Sequence, residues 1–152
     1  MRKVLNQIIN LDIDQIAFDI ARTDTFKKLV ISLNTEGTPT SQLFELGEDS
    51  TGTKLSQIGG DYSPFTVQEK QRKGQPTNRI TLKDTGDFYR SFNVVPFKGG
   101  FRIEADTIKD GEDLQESWGQ NIVGLSPQNL EIIINFYRNA VQEKVNNRIK
   151  AA

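Results

Sequence analysis

Apolar residues recur at Val4, Leu5, Ile8, Ile9, Ile13, Ile16, Ala17 and Ile20, a three-to-four spacing that draws one stripe along a helix. The pattern predicts an N-terminal helix over residues 4–21 with a bend near Asn10. The period then shortens. Leu29, Ile31 and Leu33 alternate with Val30 and Ser32, which predicts a short strand stopped within 34–40 by Gly37 and Pro39. A helical turn is expected over 41–46, followed at 47–53 by GEDSTGT. The acids and hydroxyls of that stretch bond locally to backbone and its glycines supply positive φ, so it reads as a turn or hairpin loop.

From Gly47 to Asn78 the chain carries five glycines, Pro64 and Pro76, with few apolar residues. It reads as a polar arm, weakly packed in an isolated monomer. Inside it, SPFTVQEKQRKG predicts a short helix with Ser63 as N-cap, Pro64 at the first helical position and Gly74 beyond the end. Arg79–Leu82 reads as a strand. Residues 92–97 and 101–105 flank Lys98, Gly99 and Gly100 as a β-hairpin, and Pro96 puts its strand at an edge. Last comes a long helix capped by Ser126 and opened by Pro127. Its stripe is Leu130, Ile133, Ile134, Tyr137, Val141 and Val145; Ile132, Phe136 and Ala140 add a second apolar face. That face is expected to meet the core or another chain. The sum is one α+β domain over 1–152: a small antiparallel sheet, a long C-terminal helix, an N-terminal helix and the extended polar arm 47–78.

Length agrees, since 152 residues is the size of one ordinary domain, which buries roughly 68–70% of its unfolded surface. With 36% hydrophobic and 26% charged residues the composition is that of a soluble globular protein. No run reaches the roughly 18 apolar residues of a membrane span, and MRKVLNQIINLDIDQ has acids where a signal peptide has its apolar segment. No membrane contact is expected, and the chain is expected to stay where it is made.

Chemistry narrows the choice further. The chain has no cysteine and no histidine, which removes disulfides, thiolate catalysis, the Ser-His-Asp triad and nearly all zinc sites. A metal would need oxygen ligands, and no cofactor is expected. A net charge of -1 sets up no global attraction to nucleic acid. The one basic cluster, Lys70, Arg72, Lys73 and then Arg79, has no interleaved aromatic to stack on bases and reads as a solvated loop before a phosphate contact.

Residues 82–92 read LKDTGDFYRSF. Asp84, Thr85 and Gly86 form the tripeptide that aspartic peptidases use to present a catalytic carboxylate, two copies sharing one proton. In those enzymes it follows an apolar strand; here Lys83 precedes it and Asp87 follows. The structural alternative accounts for more residues. Asp84 or Thr85 caps a short helix, Asp87 lies in its first turn where the dipole favours an anion, and Phe88 with Phe92 or Tyr89 faces the core. A second stretch, DTIKDGEDLQES from Asp106, has the outline of a calcium loop, but Ile108 and Ser117 stand at ligand positions. It is better read as a helix start. Trp118, followed by Gly119, is either a core residue at a helix end or an interface aromatic.

ITLKDTGDFYRSFNV resembles the pattern of small phage neck and tail-completion proteins, the virion-morphogenesis group, at Leu82, Thr85, Gly86, Phe88 and Ser91. The wider order of residues 41–127 is similar to small proteins of Bacteroidetes phages and prophages, crAss-like phages included. The resemblance implies a virion component at the portal, neck or tail junction, assembled in the host cytoplasm as a ring of identical subunits. Its partners would be portal, neck or tail proteins, with DNA nearby in the channel. The polar arm would order by lying on a neighbour, and Trp118, Phe136, Tyr137, Lys70, Arg72 and Lys73 are the candidate interface residues. Asp84, Thr85, Gly86, Phe88 and Ser91 would act as turn and helix cap. A non-enzymatic assembly protein is therefore expected; the alternative is a retropepsin-like homodimeric peptidase using Asp84.

Overall fold

A computed structural model describes residues 11–151. Residues 4–10 of the expected first helix lie outside the described residues. Helix α1 spans Ile13–Ala21, and the Asp12 carboxylate accepts from the Gln15 N–H at 3.0 Å as its N-cap. Ile16, Ile20 and Ala21 are its buried side.

The strand expected at Leu29–Leu33 is instead part of helix α2, Asp24–Asn34. Thr23 caps it, its hydroxyl accepting from the Phe26 N–H at 3.3 Å. Phe26, Val30, Leu33 and Asn34 are buried, a spacing of four, three and one that belongs to a helix. Five alternating residues were too short a window to reveal that period, and the capped helix overrides local β-propensity.

A π-helical turn, Gln42–Leu46, follows, ending on Gly47 at φ 60°. Glu48 pairs with Lys54 as an antiparallel bridge across the GEDSTGT turn. Helix α3 is Ser56–Gly59, and α4 is Pro64–Arg72 with Ser63 as N-cap, its hydroxyl accepting from the Thr66 N–H. The segment 47–78 is anchored to the rest: Leu55 is fully buried and Asp49 nearly so. The Asp49 carboxylate accepts from the Thr51 and Thr53 N–H groups and holds the turn shut. A low apolar count underestimated this packing, because much of the anchoring is polar: the Ser50 N–H donates to the Asn121 carbonyl at 2.8 Å and Lys70 to that of Lys83.

Arg79–Leu82 is not a strand among the described elements. Its backbone bonds to tyrosines instead of to a neighbouring strand. The Thr81 N–H donates to the Tyr62 hydroxyl at 2.9 Å, and the Tyr89 hydroxyl donates to the Thr81 carbonyl. Burial pushes the Tyr89 phenol far up, so it stays a donor. Leu82 then turns the chain at φ 55°.

Helix α5, Asp87–Arg90, leads into strand β1, Asn93–Phe97, which pairs antiparallel with β2, Gly100–Glu104. Phe97 faces Gly100, so the turn is the two residues Lys98 and Gly99, with Gly99 at φ 93°. Pro96 lies opposite Phe101, where antiparallel alternation points its missing N–H away from β2. A second small pair, β3 Ile108–Lys109 and β4 Glu112–Asp113, leads through the Asp113 cap into helix α6, Leu114–Trp118. Gly119 ends it at φ 87°. Helix α7, Pro127–Ala151, closes the fold.

Two apolar clusters result. The first packs α1, α2, the hairpin and α7 around Phe26, whose ring lies 5.0 Å from both Phe101 and Tyr137 and 5.7 Å from Phe136. The second joins Leu43, Leu55, Ile80, Phe88, Tyr89, Phe92 and Ile122. Ile31 of α2 and Ile103 of β2 touch both clusters. On α7 the seam runs through Asn129, Ile133, Phe136, Tyr137, Ala140 and Val141, whereas Leu130 and Ile134 of the expected stripe are exposed. The helix is therefore rotated toward what looked like its second face. A buried polar knot explains the rotation. Asn129 Nδ2 shares its two hydrogens among the carbonyls of Leu33 and Thr40 and Gln42 Oε1, tying the first turn of α7 to the end of α2 and the turn after it.

Candidate functional site

Helix α4, the turn after Leu82, the β3–β4 hairpin and α6 enclose an open groove of about 650 Å3. Tyr62, Phe65, Leu82, Leu114 and Trp118 supply its apolar walls; Lys70, Lys73, Lys83 and Lys109, with Glu69, Asp84, Asp110 and Glu112, line it too. Phe65, near the start of α4, is 72% exposed. A phenyl ring left in water on the wall of a groove favours burial against a partner.

Each wall has a local cause. Trp118 is set by Gly59 at the end of α3: a Cβ there would lie 2.6 Å from the indole ring. Lys70 is 6% exposed, with its ammonium donating to the Lys83 carbonyl at 2.6 Å and lying 4.8 Å from the centre of the Tyr62 ring. Asp84 pairs with Lys73 and, at 3.3 Å, with Lys109. The hydrogen bond from Lys73, aided by Lys109, holds the Asp84 carboxyl below the usual carboxylate range.

Four of the candidate residues thus share one groove: Lys70, Lys73, Asp84 and Trp118. The basic cluster does not act as one solvated loop. Lys70 is buried, Lys73 binds Asp84, Arg72 points outward to Glu69 at 2.7 Å, and Arg79 donates to the Phe44 carbonyl. Phe136 and Tyr137 lie elsewhere, packed on Phe26 in the chain's own core.

The tripeptide turns the chain by a different division of labour from the expected cap. Neither Asp84 nor Thr85 is the N-cap of α5, which is Gly86 without a side-chain cap bond; the Thr85 hydroxyl accepts from the Asp87 N–H at 3.3 Å and donates to the Asp87 carboxylate. Thr85 and then Arg90 keep the Asp87 carboxyl below its ordinary range. Gly86 adopts φ 87°, which favours glycine. Phe88 is buried, 5.1 Å from the Phe92 ring. Ser91 Oγ accepts from the Asp106 N–H at 2.9 Å, tying α5 to the chain beyond β2. In the stretch from Asp106, Asp113 caps α6, and among the described residues no cluster of three acidic side chains is placed to hold a metal.

Tyr62, Phe65, Lys83 and Lys109 were not singled out by sequence. Phe65 had a signal, a lone aromatic on an otherwise polar helix. Lys109 had none, because it comes from a hairpin 25 residues beyond Asp84 in the chain.

No family model matches the chain, and no solved structure matches it. A trigger factor from Helicobacter acinonychis (strain Sheeba) is 25% identical over 97 residues, 64% of this chain and 21% of that protein. The chain therefore spans about a fifth of the length of the curated relative it matches. Among the described residues no helix is long and apolar enough to cross a membrane.

Proposed function

We propose that this protein is a non-enzymatic assembly component of a phage virion, acting at the portal, neck or tail junction through protein contacts. The observation that carries the contact role is the groove that Phe65, 72% exposed, lines together with Tyr62 and Trp118. The location in a virion rests on the sequence pattern at Leu82, Thr85, Gly86, Phe88 and Ser91. Those residues serve architecture: Thr85 and Gly86 start α5, Phe88 fills the second cluster, and Ser91 ties the helix to the chain after β2. A homo-oligomeric ring is part of the same proposal. The exposed Leu130 and Ile134 of α7 offer a second apolar surface for a neighbouring subunit.

The alternative, a homodimeric peptidase built on Asp84, finds less support. A carboxylate dyad that shares a proton needs one member readily protonated. Asp84 is instead held ionised between Lys73 and Lys109.

The test mixes the purified protein with the products of its neighbouring genes and examines the mixture by negative-stain microscopy. A ring bound to a portal, neck or tail protein is expected. Failure to associate with every such protein refutes the virion role, and cleavage of a peptide library that Asp84→Asn abolishes would install the peptidase in its place.

A further inference from the structure

Charges in the groove are sorted by depth. Lys70 is buried, and its ammonium bonds only neutral groups: the Lys83 carbonyl at 2.6 Å, Gln75 Oε1 at 3.2 Å and Thr81 Oγ1 at 3.5 Å. Among the described residues no ion pair includes it. A buried ion satisfied in hydrogen bonds but not in charge is costly until a counter-ion approaches. Lys109 is likewise recessed, its side chain 18% exposed, whereas that of Asp84 is 49% exposed. Of the remaining acids, Asp110 and Glu112 are exposed on the β3–β4 hairpin and Glu69 turns outward to Arg72. The recessed charges are those of Lys70 and Lys109, whereas Lys73, its side chain 41% exposed, sits at the rim with the acids.

Resting on the reading of the groove as a contact surface, we propose that its occupant is an acidic-apolar peptide segment of a partner protein. A partner carboxylate takes the place of Asp84 between Lys73 and Lys109, in the groove that Lys70 also lines. A flanking apolar side chain packs on Tyr62, Phe65 and Trp118. Asp84 is then an internal occupant that the partner displaces. The exchange swaps one carboxylate for another, so affinity comes mainly from apolar burial, while the lysines select an acidic sequence. A nucleic acid fits less well: the rim acids oppose a continuous phosphate backbone, and the net charge is -1.

Trp118 is the chain's single tryptophan and lines the groove, so its fluorescence reports occupancy. The probes are the blocked peptide Leu-Asp-Phe-Asp-Leu, its amide counterpart Leu-Asn-Phe-Asn-Leu, and a single-stranded oligothymidylate. The acidic peptide is expected to bind about tenfold tighter than the amide one and to weaken with salt. Lys73→Met and Lys109→Met should each lower its affinity about three- to tenfold, and Asp84→Asn should raise it by a similar factor. Equal binding of the two peptides, binding of neither, no gain in Asp84→Asn, or oligothymidylate binding in their place overturns the proposal. If a ring forms with virion proteins while the peptides fail, the groove chemistry falls and the assembly role stands. If the peptides bind and no virion protein associates, the reverse holds.

Discussion

Gln42→Met tests whether the buried polar knot, rather than apolar packing alone, sets the rotation of α7. Gln42 is fully buried. Its Nε2 donates to the Gly124 carbonyl at 2.8 Å, and its Oε1 accepts from the Ser126 N–H at 2.7 Å and from Asn129 Nδ2 at 3.1 Å. Methionine has nearly the same length and shape but no polar atoms to offer. The three lost bonds are unequal. The Gly124 carbonyl keeps Asn34 Nδ2, and Asn129 Nδ2 keeps the Leu33 and Thr40 carbonyls. The Ser126 N–H keeps no other acceptor among the described residues, and an orphaned buried donor costs about 1–3 kcal/mol. Adding a small net loss for the other two bonds gives roughly 3 kcal/mol, or about 6–12 °C in Tm for a chain of this size. Urea unfolding followed by Trp118 fluorescence and by circular dichroism measures it. The control is Gln142→Met, an exposed site whose amide donates to Asn146 Oδ1, expected within about 0.5 kcal/mol of the parent. A loss below about 1 kcal/mol for Gln42→Met, with an unchanged denaturant slope, would refute the assignment of α7's orientation to this knot.

Gly59→Ala drives a methyl group into the Trp118 ring and should cost about 1–3 kcal/mol with a red shift of the indole emission; an unchanged spectrum and stability would show that α3 does not hold the indole. Because the folded Asp84 pKa is depressed, its pairing contributes stability above the ordinary carboxylate pKa, and that contribution is lost as pH falls through the folded value. Stability measured from neutral pH down into that range should therefore fall more steeply for the parent than for Asp84→Asn; parallel curves would refute the pairing. Limited proteolysis should cut first between Gly47 and Asn78, at the exposed residues 57–61 or 71–74; a first cut elsewhere would contradict the burial pattern.

Elements with local punctuation were legible in the sequence. Ser63 and Pro64 start α4 and Ser126 and Pro127 start α7, as their residue types predict, and the hairpin stands where expected with a turn one residue shorter, Gly100 having joined β2. The α+β class followed from these. What failed depended on contacts that a short window of apolar periodicity does not carry. Leu29–Leu33 looked β because its alternation hid the Thr23 cap and the anchor at Phe26. Leu130 and Ile134 looked like core residues because hydrophobicity alone assigned the face of α7, whereas Asn129 decides it by bonding to Leu33, Thr40 and Gln42. A buried asparagine has no periodic signature, so no hydrophobic pattern could have revealed that rotation.

The groove failed to show for a related reason. Asp84 stood out through its neighbours in sequence, Thr85 and Gly86, yet its state is set by Lys73 and Lys109, 11 residues before it and 25 after. Lys70 stood out as one of a basic run, yet burial separates it from Arg72, two positions away. In both cases a motif grouped residues that the fold parts, and the fold joined residues that no motif links. Chemistry in this chain therefore belongs to the meeting of α4, the 82–84 turn, the β3–β4 hairpin and α6. A variant that shifts any one of these four without touching a charge, Gly59→Ala being the mildest, should alter acidic-peptide affinity as well as the Trp118 emission. An emission shift with affinity unchanged would show that the lysines select the peptide without help from the Trp118 wall.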